Sequence, residues 1–386
     1  RERHFGIPIP IWECKKCKKI ITPEDKELPI DPLSTKKICK ECKEPATPED
    51  KVLDTWITSS ISPQIASGLI DNKITTPLSL RPQAHDIIRT WAFYTIAQSY
   101  MHENKIPWQD IVISGNVSLG GEKMSKSKGN VIDPKKVMEE YGSDALRFWA
   151  SGSKLGSDLD YQEKDLIAGK KFVNKLLNAS RFVFMNLEDY NGGKRPKKLE
   201  QMDKIFLERL NEMIKDVTKD FEKYEYSKSK SRAEQFFWND FCDNYLEIVK
   251  KRVYQGKGDR KLSAQYTLYQ TLLTLIKIFS PITPFITEEI YQEHFKKFEK
   301  DKSIHTSSWP EHKNTKYEDT IFETFIETLS KIRQEKSNKK KAMNAEITLT
   351  LEKTTIKKLE KTTEDLKSVT NATEIKTGKF KIEFKE

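Results

Sequence analysis

The apolar positions of this chain change period along its length, and the changes divide it into segments. Phe5 to Trp12 alternates apolar residues with Pro8 and Pro10, which suits an extended edge segment because proline donates nothing to a ladder. Residues 14–50 are polar and dotted with Pro23, Pro29 and Pro32, too poor in apolar groups for a core of their own. Lys51 to Trp56 reads as a short strand ending at Ser59-Ser60. Leu78 to Pro82 and Asp110 to Ser114 read as two more strands, with a helix over Ala84 to Met101 between them. Helices follow over Pro134 to Glu140 and Ser143 to Ala150. Strands alternating with helices predict a parallel α/β sheet with chemistry at its strand ends, and only about half of a nucleotide-binding fold precedes residue 150.

From about Gln162 to Glu299 the pattern is helical throughout. Leu262, Tyr266, Tyr269, Leu272, Leu273, Ile276 and Phe279 recur at helical spacing, as do Phe237, Phe241, Tyr245 and Val249, and such stripes are core faces. Ser280 to Phe285 breaks the helix, and Thr287-Glu288-Glu289 begins another. Beyond residue 313 a helix from about Tyr317 to Glu335 runs into the basic stretch Lys336 to Lys341. That stretch is either a phosphate contact or a solvated loop. Alternation at Ile347, Leu349 and Leu351 and again at Phe380, Ile382 and Phe384, with a polar helix between, predicts a small α+β unit.

Composition narrows the partners. Lys and Arg number 68 against 58 Asp and Glu in 386 residues, a net charge of +10 that favours a polyanion. The length allows two to four domains, and no apolar run reaches the ~18 residues of a membrane span. The opening residues, Arg1-Glu2-Arg3-His4, are neither an initiator methionine nor a signal peptide and read as the middle of a longer polypeptide. Four of the five cysteines form Cys14-x2-Cys17 and Cys39-x2-Cys42, the doubled spacing of a structural zinc site. Disulfides compete with that reading, but a chain without a secretory signal belongs in a reducing, cytoplasmic compartment. A metal there would stand in for the core that residues 14–50 lack. Cys242, in an aromatic helical stretch, reads as a small buried hydrophobe.

The most informative segment is Gly120-Gly121-Glu122-Lys123-Met124-Ser125-Lys126-Ser127-Lys128-Gly129-Asn130. Glycines let such a loop move, and two lysines three residues apart can both reach one polyphosphate. A solvated lysine run is the bland alternative. Lys123 to Ser127 resembles the second signature of the class I aminoacyl-tRNA synthetases, the KMSKS loop that handles ATP. The resemblance extends further. Arg3-His4-Phe5-Gly6-Ile7-Pro8-Ile9-Pro10-Ile11-Trp12 is similar to the segment with which class Ia members re-enter the catalytic fold after the editing domain. Asp54-Thr55-Trp56 and Arg81-Pro82-Gln83-Ala84-His85-Asp86-Ile87-Ile88-Arg89-Thr90-Trp91 resemble the valyl type, in its archaeal and eukaryotic form. Phe172 to Phe182, Phe237 to Glu247 and Pro281 to Glu289 resemble the anticodon-binding bundle. The likeness covers residues 1 to about 310 and is weak beyond.

This resemblance implies a multidomain α/β plus all-α protein. Residues 1–13 and 51–150 would be the C-terminal half of a Rossmann-like class I catalytic domain, and 14–50 a zinc module. Residues 151–172 would connect to a helical anticodon-binding domain at 173–312, followed by a small α+β unit at 313–386. It implies ATP-dependent activation of valine and transfer to tRNA(Val), with ATP and Mg2+ as substrate and structural Zn2+ on Cys14, Cys17, Cys39 and Cys42. Lys123 and Lys126 would clamp phosphates, with Met124, Ser125 and Ser127 shaping the loop. Asp86 would hold the adenosine ribose, a buried structural Asp being the competing reading. Trp56 and Trp91 would wall the valine pocket, where core packing is the ordinary role of a tryptophan. Among the basic residues of the bundle, Arg181, Lys175 and the Lys223 to Arg232 stretch are candidates for RNA contact.

Two departures stand out. The His-x-Gly-His signature and the editing insertion are absent, so the chain is expected to be inert alone, through truncation or a split gene whose N-terminal half is a separate partner. Ala84 stands where many relatives carry glycine, which is harmless only if its φ is negative. An isoleucyl or leucyl paralogue and a noncatalytic tRNA-binding protein are the alternative functions.

Overall fold

The computed structural model describes residues 6–69, 74–192, 195–313 and 320–385. Arg3, His4, Phe5 and Tyr317, which carry expectations above, lie outside the described residues. The chain divides into two units, residues 1–116 with 155–158, and residues 117–154 with 159–386, each taken by itself.

In the first unit β1 (Ile7–Pro8) leads to β2 (Trp12–Cys14). β2 lies between β3 (Ile20–Ile21) and β4 (Ala46–Pro48) in an antiparallel sheet, and β5 (Val52–Leu53) returns to pair with β1. Trp12 is fully buried and is the one large side chain at the centre of this small sheet. Its indole N–H donates to the Thr35 carbonyl at 2.9 Å, and Lys37 lies 5.5 Å over its ring. The expected strand through Trp56 stops at Leu53. The Asp54 carboxylate accepts the Trp56 amide at 3.1 Å and caps a helix, α1 (Thr55–Ser60), followed by α2 (Ser62–Leu69). Trp56 therefore sits on a helix.

β6 (Leu78–Ala84) passes through a tight turn at His85–Ile87 and a wider, π-type turn at Ile88–Ala92 into α3 (Phe93–Glu103), then β7 (Trp108–Ser114), which pairs parallel to β6 with Ala84 opposite Ser114. This is the strand–helix–strand alternation expected, with both C-terminal strand ends side by side. Gly115 follows β7 where the backbone of Ser157 passes. A Cβ there would lie 2.2 Å from the Ser157 carbonyl oxygen, so only glycine fits.

The second unit opens on β8 (Val117–Leu119) and β9 (Glu122–Lys123), then α4 (Pro134–Tyr141) and α5 (Ser143–Ala150). β10 (Leu159–Asp160) lies parallel to β8. The bundle follows: α6 (Glu163–Met185), α7 (Gln201–Glu222), α8 (Tyr226–Gln235), α9 (Leu246–Gln255), α10 (Gly258–Phe279) and α11 (Pro284–Ile290). Wider, π-type turns at Phe236–Tyr245 and Tyr291–Phe295 continue α8 and α11. The aromatic stripes are core, as read: Phe172 packs on Phe148 at 4.4 Å, Phe279 at 4.7 Å and Phe237 at 5.4 Å between ring centres. Cys242 is buried too, and burial pushes its thiol up to about 12.

Helix α5 grips the break between α10 and α11. The Asp144 carboxylate accepts the amides of Phe285 at 3.3 Å and Ile286 at 2.7 Å, satisfying the start of α11. One turn on, Arg147 donates to the carbonyls of Pro281 at 2.7 Å and Ile282 at 3.1 Å. Helix α6 comes as close, because a Cβ on Gly169 would lie 2.8 Å from the Ala145 carbonyl oxygen.

The last segment contains α12 (Thr320–Asn338), β11 (Ile347–Leu351), α13 (Lys353–Leu359), α14 (Thr363–Thr370), β12 (Ala372–Thr377) and β13 (Lys381–Phe384). β11 lies between a parallel β12 and an antiparallel β13. The sequence reading found the outer two alternating runs and missed β12, whose side chains are mostly polar and exposed. It also treated Lys336 as part of a basic loop. Lys336 is 1% exposed, and its ammonium donates to the carbonyls of Met343, Ala345 and Thr370 at 2.7–2.8 Å. It is a structural staple.

This segment is tied to the bundle by a buried ionic group. Asp203 accepts from Tyr245 at 2.7 Å, Ser263 at 2.5 Å and both terminal nitrogens of Arg252 at 2.6 Å. Asp365 of α14 stands 2.9 Å from Arg252 Nε, an ion contact without hydrogen-bond alignment, and burial pushes its carboxyl up to about 6. Arg252→Met should therefore strand two buried acids and cost about 3–5 kcal/mol. Urea unfolding followed by helical circular dichroism measures this, and a loss below about 1 kcal/mol would mean that water reaches the group.

Candidate functional site

The two Cys-x2-Cys turns are built alike. Lys18 donates its amide to the Cys14 carbonyl and Lys43 to that of Cys39, each at 3.0 Å, with φ of 60° and 59°. The amides of Cys14 and Cys39 donate to Lys19 and Glu44 carbonyls at 2.9 Å. Left-handed backbone at a lysine persists only where the surroundings fix it. An ion pair from Lys19 to Glu41 links one turn to the other. All four sulfurs lie within 4.8 Å of one another, with Cys14–Cys42 at 3.3 Å and Cys17 at 3.7 Å from both Cys39 and Cys42. A disulfide requires about 2.05 Å. Four thiolates ~2.3 Å from a tetrahedral zinc would stand about 3.8 Å apart, so the donor set fits that ion. The Cys17 N–H foremost pulls the Cys14 thiol down to about 6, while the hydrogen bond with Cys14 pushes Cys42 up to about 12.

The strand ends of the first unit gather a second group. Ala84 ends β6 with φ −81°, so its methyl is unstrained in place of the relatives' glycine. His85 and Asp86 follow it directly, and Asn116 follows β7. Asn116 Nδ2 lies 3.2 Å from His85 Nε2, and its amide donates to Asp158 at 2.7 Å. This contact ties the residue after β6 to the loop after β7. The sequence reading named Asp86 and overlooked His85 and Asn116. The signal was available, since both lie within two residues of the carboxyl ends of adjacent parallel strands, where ligands of such sheets bind.

Trp91 donates its indole N–H to the Ser59 carbonyl at 3.0 Å, joining it to the helix that carries Trp56. Behind it, the Arg81 guanidinium sits 3.2 Å from the centre of the Trp91 ring and 4.8 Å from that of Trp108. Arg81 is only 7% exposed, and burial lowers its guanidinium to about 10. The reading that named Trp91 missed this cation, which fixes the plane of the ring.

In the second unit the signature loop is a closed turn. Ser125 accepts the Lys128 amide at 3.2 Å and contacts Ser127 Oγ at 3.1 Å. Asn130 locks it, accepting the Ser125 amide at 2.8 Å and donating to the Lys123 carbonyl at 3.3 Å. Asp160 anchors the other side through the Gly121 amide at 3.0 Å and Ser118 at 2.8 Å, and that amide foremost holds its carboxyl below the usual range. Lys128 pairs with Glu122 at 3.2 Å, whereas Lys126 makes no ion pair among the described residues. Neither Asn130 nor Asp160 had been given a role.

Residues 1–162 match the family described as tRNA synthetases class I (I, L, M and V), and residues 203–353 match the anticodon-binding domain of tRNA ligase. The chain thus carries sequence of a class I tRNA synthetase catalytic domain and of a tRNA ligase anticodon-binding domain. Within that class it is similar to valine–tRNA ligases. The Rickettsia felis protein is 40% identical, with 97% of this chain and 46% of the relative covered. The Picrophilus torridus protein is also 40% identical, with 91% and 45% covered. The chain spans about half the length of the curated relatives it matches. The crystal structure of the Agrobacterium radiobacter K84 agnB2 LeuRS-tRNA-LeuAMS complex shares the fold. Its TM-score is 0.63 at 19% identity, with 80% of this chain and 41% of that one covered.

Asn130→Ala removes both hydrogen bonds that close the loop. At a net ~0.5–1.5 kcal/mol each, the amides of residues 123–128 should exchange about five- to a hundredfold faster. Hydrogen exchange read by mass spectrometry tests this, with the Trp12 sheet as the unaffected reference.

Proposed function

We propose that this chain supplies the signature loop, part of the valine pocket and the anticodon-binding bundle of a valine–tRNA ligase acting in the cytoplasm. A valine carboxylate oxygen attacks the α-phosphorus of Mg2+-bound ATP and pyrophosphate leaves; a 3′-terminal hydroxyl of tRNA(Val) then attacks the valyl carbonyl and AMP leaves. The observation that carries this reading is the closed loop with Lys126 unspent, in a chain 40% identical to valine–tRNA ligases. An ammonium on such a loop meets charge as it develops on the phosphates, which lowers the barrier more than it tightens the ground state. Lys123 would act beside it. Asp86 would accept from the ribose, and Trp56 with Trp91 would bound the valine side chain. The segments would be those expected: catalytic at 1–13 and 51–150, metal-binding at 14–50, connecting at 151–172, anticodon-binding at 173–312 and a small α+β unit at 313–386. Adenylate formation would also need the first signature segment, whether on the same polypeptide or another.

Zinc is proposed at Cys14, Cys17, Cys39 and Cys42, where it would replace an apolar core around Trp12. Elemental analysis should find one equivalent per chain. Removing it with a chelator should shift the Trp12 fluorescence as that ring meets water. Well under half an equivalent in protein purified without chelator would remove the proposal.

In an enzyme containing this chain and the first signature segment, Lys126→Ala should slow valyl-adenylate formation by roughly two to three orders of magnitude. Valine affinity should barely change. Single-turnover pyrophosphate release measures the step, and a rate within about threefold of the unchanged enzyme, ~0.7 kcal/mol, would refute the clamp.

A further inference from the structure

Three basic groups of the bundle were candidates for RNA contact, and the structure separates them. Arg232 is neutralised by Asp220 at 2.8 Å and Asp216 at 3.4 Å. Lys175 lies 5.2 Å over the Trp238 ring. Arg181 lines a cleft of about 460 Å³ between the last turn of α6 and the Tyr291–Phe295 segment. At 23 residues and ~1.5 Å each, α6 places this cleft about 35 Å along its axis from Glu163.

The lining is unusual for a solvated surface. Phe184 and His294 stack face to face, with ring centres 4.1 Å apart and planes at 11°. His294 Nε2 is buried with no hydrogen-bond partner, the Glu293 carboxylate standing off at 3.6 Å. Met185 is 67% exposed at the edge, although it is a large apolar side chain. Lys297 stands 4.8 Å over the Phe298 ring on the opposite wall. Burial foremost holds the His294 imidazolium below its usual range, so the ring is neutral and offers one donor and one acceptor. Aromatic faces, an unsatisfied ring nitrogen and flanking cations are what a splayed nucleobase with its phosphates requires.

We propose that this cleft seats one unpaired base of the anticodon loop of the tRNA, packed against the Phe184–His294 stack. Arg181 and Lys297 neutralise the adjoining phosphates. The proposal rests on the tRNA reading above and adds to it the place where one base is held.

The test uses the 386-residue chain and a tRNA(Val) transcript, together with transcripts in which each anticodon-loop nucleotide in turn is abasic. His294→Ala should weaken the intact transcript about 5- to 100-fold, the range for one stacked base. At one loop position, the abasic transcript should bind the unchanged chain and His294→Ala equally. Arg181→Gln, an exposed change that the fold does not need, should lower the salt dependence by about 0.7, one single-stranded phosphate contact. Suppose instead that both variants bind every transcript as the unchanged chain does, or lose affinity for all equally, while tRNA(Val) is still preferred over other tRNAs. The base then sits elsewhere and only this proposal fails. If the unchanged chain shows no preference for tRNA(Val), the tRNA reading itself fails.

Discussion

A carboxylate and a guanidinium one turn apart on α5 hold the second unit together. Asp144 satisfies the opening amides of α11 and Arg147 the closing carbonyls around Pro281. A helix break inside a bundle leaves backbone groups that water cannot easily reach, and leaving them unmade is costly. Here the two orphan sets are answered by the helix that follows the signature loop through α4. The break at Ser280–Pro284 is thus the place where the loop's supporting helices and the bundle become one body. Burial works against the charge on Asp144, but the two amides that it accepts favour it.

The first unit solves a different problem, a shortage of apolar surface. Its cysteine segment has one buried aromatic ring, Trp12, and two turns with left-handed lysines that a free chain would avoid. Four convergent sulfurs lie beside it, the donor set on which the proposed zinc would stand in for that core. The same unit spends a buried arginine on the faces of Trp91 and Trp108, stacking that partly offsets the loss of its hydration. In the proposed valine pocket such rings would sort side chains by size but reject threonine poorly, because an apolar wall discriminates weakly against an isostere that differs by one hydroxyl.

How much of this was legible depended on whether the signal was local. Period, signature loop and cysteine spacing are local, and the bundle, the loop's shape and the sulfur cluster follow them. Trp56 was read onto a strand because the capping potential of Asp54 was passed over in favour of the apolar run before it. Strand β12 escaped because a parallel edge strand with mostly polar side chains has no alternation to see. Lys336, Arg81 and the His85–Asn116 pair escaped for a deeper reason, since their partners are carbonyls, rings or side chains distant in sequence. Buried polar groups find their meaning in tertiary contacts, and a lysine inside a basic run looks like its solvated neighbours until those contacts form.

That sorting of cations is the link between fold and function. With 68 lysines and arginines, charge alone marks no site. The fold consumes some of them: Arg252 on Asp203 and Asp365, Arg147 and Lys336 on carbonyls, and Arg209 on Asp240 at 2.9 Å. Each of these is committed to one geometry, its donors already turned to partners inside the fold. Others, such as Lys128 and Glu122, form exposed pairs that water and salt weaken. Lys126 on its locked loop, and Arg181 beside a stacked aromatic pair, are cations held in place by structure but not neutralised by it. A positioned, unpaid charge is the condition under which binding a phosphate gains more than it loses in displaced partners.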